Sequence, residues 1–131
     1  KTFADSDKPV GTAPFQQELI GHMLVELETA SIWLRRQVDL ESSDSPILSK
    51  EEVVKRWRLC KGVVAESAFK LATYCVKANG TGGGTGNHGV PARALRDLCM
   101  GLVQAFPAER GRLMAAQMEI EGSEQAQFGT R

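Results

Sequence analysis

Apolar side chains recur at four- and three-residue spacings through two long stretches of this sequence, and no alternating strand pattern competes with them anywhere. In the first stretch Phe15, Leu19, Met23, Leu27, Ala30, Leu34 and Val38 fall on one side of a helix. Thr12 is placed to cap it, Pro14 to open its first turn, and it should end near Val38. Ile20, Leu24 and Ile32 widen the stripe, which predicts neighbours on two sides. The stretch from Asp39 to Pro46, rich in Ser and Asp, reads as a loop. The second helix, roughly Lys50 to Ala78, carries Val53, Trp57, Cys60, Val64, Ala68, Leu71, Cys75 and Ala78 as the seam an antiparallel helix pair presents. Ser49-Lys-Glu-Glu52 has the form of a capping box, and Asn79-Gly80 supplies residues that tolerate a left-handed stop.

From Gly80 to Gly89 the chain reads GTGGGTGNHG, which neither helix nor strand tolerates. Pro91 then opens a third helix with Leu95, Leu98, Leu102 and Phe106 on one face. Pro107 breaks it, and a fourth follows from about Ala108 to Glu121, stopped by Gly122 before a polar tail, Ser123 to Arg131. The expected fold class is therefore all-α, four helices in one domain over 1–131.

Composition narrows the functions. Sixteen basic against 16 acidic side chains leave no net field to gather a nucleic acid, and no apolar run reaches the roughly 20 residues a bilayer requires. Cys60, Cys75 and Cys99 show no C-x-x-C spacing and read as reduced core thiols of a cytoplasmic protein; with only His22 and His88 as imidazoles, no metal site is expected. The opening, Lys1 to Pro9, has no apolar signal core, and a start on Lys suggests a processed product or a segment of a longer polypeptide.

The glycine loop is the candidate site. A phosphate-binding P-loop needs Gly-Lys-Ser/Thr, whereas Gly86 precedes Asn87 and His88. Gly84-x-Gly86-x-x-Gly89 matches a dinucleotide fingerprint in spacing but follows a helix instead of a strand. The loop is either a plain connection or bare backbone set close to a ligand or a subunit. Lys50, Lys55, Arg56, Arg58 and Lys61, diluted by Glu51, Glu52 and Glu66, read as a solvated helix face. His88 has no partner in its own segment, His22 reads as the polar edge of its helix, and Met23 and Trp57 occupy packing positions.

In order and spacing, several segments resemble the C-terminal region of the acyl-CoA dehydrogenase family. Met23-Leu-Val-Glu-Leu-Glu28-Thr-Ala30, with Gln17 before it and Ser31 in place of the family's Arg, resembles the first long helix of that region. Ser67 to Gly80 resembles the helix leading to the family's glycine loop, and Gly89 to Asp97 its Pro-containing turn and Arg-Asp pair. The resemblance implies an up-and-down four-helix bundle, the last domain of an FAD enzyme acting on acyl-CoA or another small substrate. It implies a loop, with Lys77, Gly80, Thr81, Gly82 and Gly83 as cofactor-binding residues, that approaches the FAD of a neighbouring subunit in a dimer or tetramer. Three departures qualify what carries over. Lys77 stands where the family has Gln, the Arg-x-x-Phe-Gly stretch before the first helix is missing, and the family's catalytic Glu falls on Ala105, so no catalytic residue is assigned. Phe106-Pro-Ala-Glu-Arg110 is similar to the flavin-monooxygenase-like branch. The chain by itself is expected to be inactive; the alternative is a stand-alone helical bundle that mediates protein contacts.

Overall fold

In a computed structural model, residues 9–44, 48–80, 89–104 and 106–122 are described. They are helical almost throughout: a short 3-10 turn, Val10–Thr12, then α1 (Pro14–Glu41), α2 (Lys50–Asn79), α3 (Val90–Val103) and α4 (Ala108–Glu121). The all-α class is as expected, with two shifts at α1. Thr12 closes the 3-10 turn, its hydroxyl on the Pro9 carbonyl at 2.7 Å, and Ala13 takes the N-cap position. At the other end the helix runs on through Glu41, into the segment expected to be loop.

The caps of α2 follow from its sequence. Ser49 accepts a hydrogen bond from the Glu52 amide at 3.2 Å, satisfying one orphan donor of the first turn. The returning half of the capping box is replaced, because the Glu52 carboxylate turns to Lys55 and Arg56. Gly80, at φ 66°, ends the helix with its amide on the Lys77 carbonyl, a conformation a Cβ would strain.

Helix α2 is the centre of the molecule. Helix α1 lies antiparallel along it, tied by Gln16 Nε2 to the Ala78 carbonyl (3.1 Å), Met23 beside Cys75 (3.4 Å between sulfurs), Gln37 Nε2 to the Val53 carbonyl (3.2 Å) and Trp57 Nε1 to Glu41 (3.0 Å). Helices α3 and α4 occupy another side of α2, end to end. Gly101 lies against Ala65, Lys61 donates to the Gln104 and Phe106 carbonyls, Ala108 crosses Gly62, Gly111 meets Arg58, and Glu119 reaches Lys55. Among the described residues α1 packs on α2 and not on α3 or α4. The four-walled bundle expected from sequence is thus replaced by three rods, α2 in the middle and the third rod broken at Pro107.

Small residues set the closeness of this packing. Cys60, Ala72, Ala92, Ala108, Met114 and Ala115 are buried, together with the polar Gln37 and Ser67. At the α2–α4 crossing a Cβ on Gly111 would stand 2.7 Å from the Arg58 carbonyl oxygen. The apolar stripe of α1 is where expectation and structure part: Phe15, Leu27, Leu34 and Val38 are all exposed. The residues that pack on α2 are Leu19, Met23, Glu26, Ala30, Trp33 and Gln37. The thiols separate likewise, with Cys60 buried, Cys75 half-buried and Cys99 exposed instead of in the core. Burial pushes the Cys60 thiol up, partly opposed by the positive charge of Arg36.

Candidate functional site

Three surfaces offer chemistry. The first is the end of α2 at the glycine loop, where the family resemblance implies cofactor contacts. Of those residues Lys77 and Gly80 lie among the described ones; Thr81, Gly82 and Gly83 lie outside them, as do His88 and Ala105. Lys77 is exposed, and its ammonium sits 5.5 Å from the centroid of the Tyr74 ring. The same ring stacks on His22, centroids 4.7 Å apart and planes within 8°. Glu18 holds His22 Nε2 at 2.6 Å, one turn back along α1. His22 is therefore part of a ring-and-charge cluster, Glu18–His22–Tyr74–Lys77, and not simply the edge of an apolar stripe. Sequence reasoning missed Tyr74, whose signal was its place one turn before Lys77.

Two electrostatic effects compete at this end. Helix carbonyls at a C-terminus repel an anion, while the Lys77 ammonium attracts one, and no carboxylate pairs with Lys77 among the described residues. Lys77 thus offers a cation to an anionic group, while the helix end and Gly80, whose amide is on the Lys77 carbonyl, offer it no donor.

The second surface is a charged groove of about 500 Å³ between α1 and α4, floored by Glu52, Lys55, Arg56 and Leu59 of α2. Lys55 bridges Glu52 at 2.6 Å and Glu119 at 2.5 Å, and Arg56 holds Glu52 at 3.1 Å. The hydrogen bond to Glu119, then that to Glu52, holds the Lys55 ammonium above its ordinary pKa; the Lys55 bond chiefly holds Glu52 below the usual carboxylate range. Nearby, Arg112 pairs with Glu66 at 2.8 Å, which keeps its guanidinium raised, and Arg36 lies over the Trp33 ring at 4.5 Å. Of the basic residues of α2, Lys55, Arg58 and Lys61 reach across to the third rod, where sequence suggested a solvated face, while Arg56 pairs within α2 and Lys50 is exposed.

The third surface lies on the other side of α2. A groove of about 530 Å³ is lined by Leu34 of α1, by Trp57, Val64 and Ala68 of α2, and by Leu98 and Gly101 of α3. Cys60 also borders it, and Lys61 stands at its rim, committed to the α3–α4 junction. Such a groove gives van der Waals contact and no polar chemistry.

Among the described residues no helix is long and apolar enough to cross a membrane, and no group of three or more His, Cys, Asp or Glu is gathered to hold a metal. Compared with protein-family models, curated proteins and solved structures, the chain matches none.

Proposed function

We propose that this chain is a helical packing unit of an acyl-CoA dehydrogenase-like, FAD-dependent oxidoreductase, serving subunit association first and the flavin site second. The observation that carries the packing half is the apolar face left open beside α2, which a unit working alone has no reason to keep. The flavin half is supported by the order of the resembling segments, which fall on α1, α2 and α3 with the glycine loop between the last two. Lys77, Gly80, Thr81, Gly82 and Gly83 would stand toward the cofactor, Lys77 as the cation and the glycines as close-approaching backbone. Bound FAD would supply the redox chemistry; this chain would bind and orient one edge of it.

The test is purification of the full-length product of the reading frame that encodes this segment. The expected result is a yellow protein with about one flavin per chain, while the 131-residue segment alone is colourless. A colourless full-length product overturns the flavin half. If that product still associates, the stand-alone interaction bundle is the better reading, since it needs the same open face and no cofactor.

A further inference from the structure

Helix α1 carries two apolar seams side by side. Leu19, Met23, Glu26, Ala30, Trp33 and Gln37 repeat at four-three spacing and pack on α2. One residue further, about 100° round the helix, Ile20, Leu24, Leu27, Ser31, Leu34 and Val38 repeat at the same spacing. The five apolar members of this second seam are 45% to 57% exposed. Leu34 belongs both to the seam and to the apolar groove, so the two are one continuous face running from α1 across α2 to Leu98 of α3.

We propose that this face is self-complementary, and that two copies of the chain pair through it with their α1 helices antiparallel, Glu28 of one copy against Arg35 of the other. The inference rests on the packing half of the reading above and names its partner and its contacts.

Size is the first argument. The seam from Ile20 to Val38 is about 27 Å long, and two helix spacings add a width of roughly 18 Å, which makes the face roughly 500 Å², in the range that each partner of a weak, reversible complex buries. A lone helix, about 10 Å across, would cover only half that width. Charge is the second. Glu28 and Arg35 stand seven residues apart on the edge of the seam away from α2, both exposed and neither ion-paired among the described residues. In an antiparallel pair these edge positions meet their own kind across the twofold axis, so one contact of Glu28 with Arg35 is made twice. The same register sets Leu27 on Val38 and the small Ser31 on Leu34. An unrelated partner would require no such symmetry of opposite charges.

Sedimentation of the 131-residue chain over a concentration series, with circular dichroism to monitor folding, tests the proposal. A monomer–dimer equilibrium is expected. Leu24→Asp should abolish it at unchanged helicity, because Leu24 is 57% exposed and lies outside the buried core. Glu28→Lys and Arg35→Glu should each weaken the dimer about tenfold, and the double variant should return to within about twofold of the parent. Failure of the double variant to recover overturns the antiparallel pairing. Association that ignores Leu24→Asp and both charge changes puts the contact on another face, which overturns this inference and leaves the packing reading standing. A chain that stays monomeric at millimolar concentration overturns both.

Discussion

Glycines show most sharply how much a single side chain weighs in this molecule. Gly111 lies where α4 crosses α2, and a methyl there would stand 2.7 Å from the Arg58 carbonyl oxygen, a backbone atom that cannot turn aside. Gly111→Ala should therefore destabilise by about 1–3 kcal/mol through overpacking. Gly21, on the open side of α1, has nothing within 4 Å of where its Cβ would be. Gly21→Ala should stabilise by about 0.5–1 kcal/mol, since the helix gains propensity at no steric cost. Thermal unfolding of the two variants should move the midpoint in opposite directions, and a shared direction would show that the crossing is looser than described. Charge acts at the same scale. The Glu52 pKa is lowered by Lys55, so its contribution is present above the ordinary carboxylate range and is lost as pH falls through the depressed value. The Lys55 pKa is raised, so its contribution holds below the ordinary lysine range and is lost only as pH rises through the raised value. Glu52→Gln should thus lower stability by about 1 kcal/mol or less at neutral pH. The difference from the parent should vanish in acid, which melting curves across pH will read. A deficit that persists below the carboxylate range would assign the loss to the cap region instead of the charge.

At the scale of elements, much of the fold is legible in the sequence, and what is not has a physical cause. The four-three spacing is a local signal and places α1, α2, α3 and α4 because a helix needs nothing else to set its period. Ser49 and Asn79-Gly80 mark the ends of α2 because caps are local too. The seam that α1 buries is another matter. Its two candidate seams differ by one residue, and the one that packs holds Glu26 and Gln37 while the more apolar one stays open. Hydrophobicity alone blends the two seams: Leu19, Met23 and Ala30 of the expected stripe pack on α2, while Leu27, Leu34 and Val38 stay open. The choice is made by α2, through Met23 against Cys75 and Gln37 against the Val53 carbonyl, contacts between residues far apart in sequence. Gln37 illustrates the cost, for it is fully buried and its Oε1 accepts no hydrogen bond. The end-to-end placement of α3 and α4 was half visible, in Pro107; what turns that break into one continued rod is Lys61, reaching across from α2 to the Gln104 and Phe106 carbonyls. At the end of α2 the positions of Lys77 and Gly80 were legible from the sequence, whereas the His22–Tyr74 stack joins α1 to α2, a contact that the place of Tyr74 one turn before Lys77 does not by itself reveal.

For the whole molecule the governing fact is that, among the described residues, the outer rods pack chiefly on α2. The same arrangement leaves α2 lined by a charged groove on one side and an apolar one on the other, so the two faces of a single helical layer differ in chemistry. It also governs how the molecule comes apart. In a closed bundle each helix is held by two others, and opening one loosens the rest. Here α1 and α4 border the charged groove from opposite sides and each packs chiefly on α2, so each can detach from α2 by an opening of its own. Hydrogen exchange should accordingly show the central amides of α2 protected to the global stability, and those of α1 and α4 exchanging through two separate, cheaper openings. Gly111→Ala should speed exchange in α4 and leave α1 unchanged, and coupled acceleration of both would mean that the rods communicate after all. The broader consequence concerns cooperativity. With the helix packing among the described residues centred on α2, this chain stores its folding information in a hub, so damage at one rim stays at that rim and damage to the hub unfolds everything at once.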